Sequence, residues 1–222
     1  MMKKVQSSRF KVQSSVIGLL IIISLAVSTG ASGAGVDELV GRIQKEFSRI
    51  KDISGTFSQS SYIKDIEQTQ KYSGRFFIKK PSRMMWEYSS PRDEKVIINN
   101  TDTWIYKKSL NQVMKMKFTK KAYSQVPIAL LDSLENIRTD FDISMTKENA
   151  LQLRPKRKVG MIKTLVLETV PEGFPVKMFT IFDTYGNIIM IELDNIKINS
   201  GLDDSLFVFK IPPGAEVFDM GE

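Results

Sequence analysis

Ser48 and Lys51 stand three residues apart in Ser48-Arg-Ile-Lys51, the spacing that sets a serine nucleophile beside a lysine base on a helix. The S-D-N and K-T-G sequences that complete such a site do not occur in the chain. The chain has no histidine and no cysteine, which removes the usual general base, the thiol nucleophile and the common zinc ligand sets. Its carboxylates scatter among turns and helix residues without a spaced acid–base pair. No glycine-rich loop leads into a lysine to cradle a phosphate. The residue types therefore point away from catalysis, metals and cofactors, and toward binding.

The formal charge of +7 comes from 32 basic and 25 acidic residues. Lys3, Lys4, Arg9 and Lys11 belong to a basic start, and without them 28 basic residues face 25 acidic ones, a balance of +3. That is too even for a nucleic-acid-binding surface, which needs clustered bases on one face. The densest cluster, Lys156-Arg157-Lys158, follows Pro155 and precedes Gly160. It reads as a solvated hairpin tip, with a contact to anionic headgroups as the alternative.

The first 34 residues read as an export leader. After the basic start comes Val16 to Val27, an apolar run of 12, too short to span a bilayer comfortably. Small residues then lead to a small-x-small exit at Ser32 and Ala34. Residues 35–222, 188 in all, form the expected mature domain. Without a cysteine it has neither a lipid attachment point nor a disulfide, so the expected product is exported, soluble and held by its core.

One helix opens that domain, with Asp37 as its expected cap and Val36, Leu39, Val40, Ile43, Phe47 and Ile50 on one face. After Ser54-Gly55 the period falls to two. Tyr72, Gly74, Phe76 and Ile78 share a face. Met84, Trp86 and Tyr88 alternate with Met85, Glu87 and Ser89, and Met114, Met116 and Phe118 are opposed by Lys115 and Lys117. Strands are also expected at 96–98, 103–106, 141–145, 150–153, 163–168, 176–182, 188–193, 195–198 and 206–209. A second helix is expected over Pro127 to Glu135, with Ile128, Leu131 and Leu134 on one side. The class is mainly β, about eleven antiparallel strands in one sheet or open barrel.

Many dry-face residues are large and soft: Met84, Met114, Met116, Met145 and Met178, with Phe76, Trp86, Trp104 and Phe179. Methionine adapts to ligands without fixed shape, such as acyl chains, although the same residues also fill ordinary cores. Such a face cannot stay wet. Either the sheet closes tightly on itself, or the helices cover a concave face and leave a cavity. The sequence leaves both open.

The segment Gly74-Arg-Phe-Phe-Ile-Lys-Lys-Pro-Ser-Arg-Met-Met-Trp-Glu-Tyr88 resembles a pattern of the periplasmic outer-membrane lipoprotein carriers, the LolA family. Three further pieces match in order: the opening helix ending in Gly55-Thr-Phe-Ser-Gln59, then Asp102-Thr-Trp-Ile-Tyr106, then Phe207-Val-Phe-Lys-Ile-Pro-Pro-Gly214. The resemblance runs from about Val36 to Phe218. It implies an unclosed antiparallel β-barrel with a helical lid over an apolar cavity. It further implies a monomeric carrier that receives lipoproteins from an inner-membrane transporter and passes them to an outer-membrane acceptor. On it, Ile43, Phe47, Ile50, Ile128, Leu131 and Leu134 would supply the lid, and Met84, Trp86, Met114 and Met116 the wall.

Two positions depart from the family pattern. The family usually has arginine before the proline, where it is thought to hold lid-helix carbonyls; here Lys80 stands there and lacks the planar five-donor fork. Met84 stands where an aromatic is common. The rival readings are a carrier or sensor of the same fold with another lipid cargo, and an inert envelope protein with a packed core.

Overall fold

The helical recurrence folds as α1 (Ala31–Arg49) in the computed structural model, which describes residues 31–89, 91–117, 134 and 136–221. Val40, Ile43 and Phe47, followed by Ile50 just past the helix end, are buried on one face. Asp37 does not cap this helix. The helix begins earlier, and Asp37 instead pairs with Arg138 at 2.7 Å.

Twelve strands follow among the described residues: β1 (Asp52–Ile63), β2 (Gln68–Lys79), β3 (Arg83–Tyr88), β4 (Glu94–Asn99), β5 (Asp102–Lys107), β6 (Gln112–Lys117), β7 (Phe141–Met145), β8 (Leu151–Pro155), β9 (Ile162–Thr169), β10 (Val176–Asp183), β11 (Ile188–Ile198) and β12 (Glu216–Asp219). A short α2 (Ile137–Asp140) precedes β7. All twelve strands lie in one sheet, in the order β12-β6-β5-β4-β3-β2-β1-β11-β10-β9-β8-β7. Every pairing is antiparallel except β12 on β6, and the end strands β12 and β7 do not pair, so the barrel stays unclosed. The expected mainly β class is borne out. Positive-φ asparagines (Asn100, Asn111, Asn149) turn three of the hairpins, asparagine being one of the few residues that tolerate this backbone.

Four local readings are corrected. β1, the central strand joining both arms, was not expected, because its four serines and Gly55 leave little apolar alternation. The two strands expected at 188–193 and 195–198 are one, β11. Its register against β1 slips between Ser54 and Thr56, opposite Asn195 at φ 52, so the bulge breaks the alternation without ending the strand. Residues 206–209 are not a strand: Asp203 accepts from Ser205 N–H (2.7 Å) and starts a 3₁₀ turn, Asp204–Phe207. Met178 pairs with Glu192 and faces away from the core that takes Phe179 and Ile181.

The main core is a single cluster on the concave face, containing α1 together with residues from both arms of the sheet. A second, smaller cluster lies on the outer face. There Met85, Ile97 and Trp104 are covered by the chain after β11, with Phe207 buried and Phe209 stacked on Trp104 at 5.4 Å. Trp104 thus belongs to the outer face and not to the concave one. The strap is fixed at its start by buried Asp52, which accepts from the backbone N–H groups of Ser200 (2.8 Å) and Gly201 (3.1 Å). Lys79 and Arg83 bind Asp204 further along.

Glu87 gathers the charge of the outer face. Arg75, Lys108 and Lys95 stand 2.7, 3.2 and 3.4 Å from its oxygens. Burial pushes this carboxyl up, but the hydrogen bond from Arg75 and the charges of Lys95 and Lys108 outweigh it and hold it at about 2. A group near 4.5 in the unfolded chain and about 2 in the folded one contributes stability in full above pH 4.5 and loses it as pH falls toward 2. Glu87→Gln is therefore expected to lower stability at pH 7 and to flatten the acid limb between pH 4.5 and 2. Urea melts across that window check this, and an acid limb of unchanged slope would contradict it.

Candidate functional site

The concave wall is built around an aromatic stack. Phe57 of β1 lies against Trp86 of β3 with ring centroids 3.6 Å apart and 17° between planes. Tyr88 meets both rings edge-on, and Phe76 tilts against Trp86 at 5.8 Å. The stack closes because Phe57 is paired with Gly74 in the register and needs the room that glycine leaves. Met84 and Trp86 are both buried here.

α1 covers this wall. Ile43, Phe47 and Ile50 share one cluster with Met84 and Trp86, and Leu134 joins them. Both arms of the sheet hold the helix. Arg42 donates to the carbonyls of Val170 and of Pro171 (2.7 Å) in the β9–β10 turn. From the β2–β3 turn, Lys80 Nζ donates to the Phe47 carbonyl at 2.7 Å and stands 4.3 Å from the centre of the Phe47 ring. Asn199 donates to the Arg49 carbonyl at 3.2 Å. The last turn of a helix leaves carbonyls without intrahelical partners, and a cation there also faces the negative end of the helix dipole.

Where the stack ends at Tyr88, a cavity of about 410 Å³ opens. Ile105, Met114, Met116, Ile189 and Met220 form its apolar side, and Gln59, Tyr88, Arg92, Glu94 and Lys107 its polar side. Tyr88 donates to Gln59 at 3.1 Å, Arg92 pairs with Glu94 at 2.8 Å and its guanidinium lies 4.3 Å over the Tyr88 ring. Burial pushes the Tyr88 hydroxyl above its usual range.

The structure thus brings together Ile43, Phe47, Ile50, Met84, Trp86 and Leu134, and places Met114 and Met116 on the cavity wall beside them. Ile128 and Leu131 lie outside the described residues. The polar rim was missed in the sequence because Gln59, Arg92 and Glu94 look like ordinary wet-face residues. The alternation that carries Tyr88 with Trp86 was the only signal. Ser48 sits on the exposed side of α1 with its hydroxyl donating to the Lys45 carbonyl (2.9 Å). Among the described residues no helix is long and apolar enough to cross a membrane.

Comparison with known proteins agrees with this arrangement. The chain is 30% identical over 183 residues to an outer-membrane lipoprotein carrier protein of Glaesserella parasuis, covering 82% of this chain and 86% of that one. It is 24% identical over 204 residues to the protein of the same description in Pseudomonas paraeruginosa, covering 90% and 97%. Among solved structures, an uncharacterized conserved protein from Thermus thermophilus shares the fold with a TM-score of 0.51 at 13% identity, covering 82% of this chain and 98% of that one. The family described as outer membrane lipoprotein carrier protein LolA matches residues 48–210. With its lidded concave face and these relatives, the chain belongs to the LolA family of outer membrane lipoprotein carriers.

Proposed function

We propose that this protein is exported to the periplasm, loses residues 1–34, and works as a monomer that carries lipoprotein acyl chains. It takes them from an inner-membrane transporter and yields them to an acceptor at the outer membrane. The observation that carries the reading is an apolar trough covered by a helix that both arms of the sheet hold by hydrogen bonds to carbonyls.

Three acyl chains carry on the order of 45 methylenes, and exposing them to water at ~0.8 kcal/mol each costs roughly 36 kcal/mol. Unassisted passage through water is negligible on that scale. A cavity of about 410 Å³ matches one drug-sized ligand, not three acyl chains. Loading therefore requires α1 to lift, which exposes Ile43 and Phe47 to the cargo. Lys80 is the latch in this scheme. It reaches the Phe47 carbonyl as an arginine would, but as a point charge. No chemistry occurs on this chain; the energy for loading enters at the donor.

The test uses energised spheroplasts carrying labelled lipoproteins, incubated with the purified exported protein. Label should leave the membrane in a soluble one-to-one complex. Met116→Asp, on the partly exposed cavity wall, should cut the yield roughly tenfold or more, as expected for a loss of about 1.4 kcal/mol or greater. Lys80→Ala should raise loading, since it removes one of the hydrogen bonds that hold α1 without altering the wall. Release of other lipids but no lipoprotein would assign a different cargo to the same cavity. No extraction of any lipid would overturn the carrier reading.

A further inference from the structure

After the outer-face strap, the chain turns through Pro212-Pro213-Gly214, with Gly214 at φ +70, and lays β12 parallel along the free edge of β6. The ladder runs from Glu216 opposite Gln112 to Asp219 opposite Lys115. It is closed by Glu216 N–H on the Asn111 carbonyl (3.0 Å) and Met220 N–H on the Lys115 carbonyl (2.8 Å).

The two parts of this tail are held very differently. The strap is anchored by a buried aromatic, Phe207 at 1% exposure. All four residues of β12 are exposed, including Val217 and Phe218. Among the described residues its side-chain pairs with β6 are polar and at the surface: Gln112 on Glu216 at 3.1 Å and Lys115 on Asp219 at 3.4 Å. Exposed pairs of this kind contribute little. The ladder also stops at Lys115, two residues short of the end of β6. A strand edge is a template for any extended segment, and here the incumbent is short and has no fully buried side chain.

We propose that the β6 edge is a strand-acceptor site. β12 fills it in cis, and an extended segment of a partner protein replaces β12 there. The chemistry of the partner is written in the incumbent: an acidic residue opposite Gln112, another opposite Lys115, and two apolar residues between them. Lys115 and Lys117 on β6 favour such a segment by charge. The exchange also reaches the cavity. Met220, the residue after β12, lines the cavity mouth with Met114 and Met116, so a partner strand that displaces β12 withdraws one wall of the mouth. That consequence for cargo rests on the carrier reading; the strand exchange itself does not.

The experiment uses the full chain, without cargo, and a fluorescent synthetic peptide of residues 215–221. In the parallel ladder Phe218 N–H lies between those of Glu216 and Met220, on the β6 side, and Phe218→Pro removes it. This variant should bind the peptide at least tenfold more tightly than the unaltered chain, with amide shifts confined to β6 residues 112–117. Adding Lys115→Glu should abolish the gain. Hydrogen exchange of the unaltered chain supplies an independent check. The Phe218 and Met220 amides should exchange at least 100-fold faster than those of β3. Protection equal to β3, or peptide binding that is absent or indifferent to Lys115→Glu, would overturn the proposal. Because no lipoprotein is present, such a failure leaves the carrier reading standing, while failure in the spheroplast assay leaves this one.

Discussion

Gly74→Ala is expected to destabilise the fold by about 3 kcal/mol or more, at the upper end of what overpacking costs. A Cβ at this position would sit 2.1 Å from the Glu87 carbonyl oxygen and 2.6–2.7 Å from the Phe57 ring. The first neighbour is backbone and the second is sandwiched against Trp86 at 3.6 Å, so neither can yield without separating β2 from β3 or breaking the stack. Gly41 gives the contrast. It lies exposed within α1 with nothing within 4 Å of a Cβ, so Gly41→Ala should stabilise by about 0.8 kcal/mol through helix propensity alone. Urea unfolding of the two variants checks the pair. A loss below about 1 kcal/mol at Gly74 would show that the strands have more slack than the register implies.

Trp86→Ala should cost about 3–5 kcal/mol, the range for truncating a large buried aromatic. Trp86 is 1% exposed and touches Phe57, Phe76 and Tyr88, so its removal leaves a void lined by rings. Such a void stays dry and accepts small apolar molecules. Benzene should therefore recover part of the lost melting temperature in Trp86→Ala and do nothing for Gly74→Ala. Calorimetry with and without benzene measures this, and equal response of both variants would argue against a defined void. The two substitutions share Phe57 as a partner, so their combined cost should fall short of the sum.

Much of the sheet was legible in the sequence because strands such as β6 keep one apolar and one polar face, as in Val113-Met-Lys-Met-Lys117. The helix face was legible for the same reason at the other period. What escaped has a physical cause in each case. β1 takes its central place between β2 and β11 with few apolar side chains, Ile53 and Phe57 being the ones buried in the core. β12 lacks alternation because neither of its faces is buried. Met85 and Trp104 belong to strands apolar on both faces, and only the strap explains why. At the site, the apolar residues of α1 and β3 declared themselves, whereas Gln59 is a buried polar group whose partner Tyr88 is distant in sequence, and Glu94 is a buried carboxylate whose pairing with Arg92 only the fold reveals.

The central position of β1 also governs the order in which this molecule can be assembled. Residues 52–117 can form hairpins with their sequence neighbours, and so can residues 141–198. The seam between the two halves pairs Ile53 with Ile198, so it waits until nearly the whole chain has emerged. Loops of this length are slow to close. Until then the strand that will sit at the middle of the sheet has one bare edge. Its serines and glutamine, which hid it from the sequence reading, keep that waiting edge from being a greasy one.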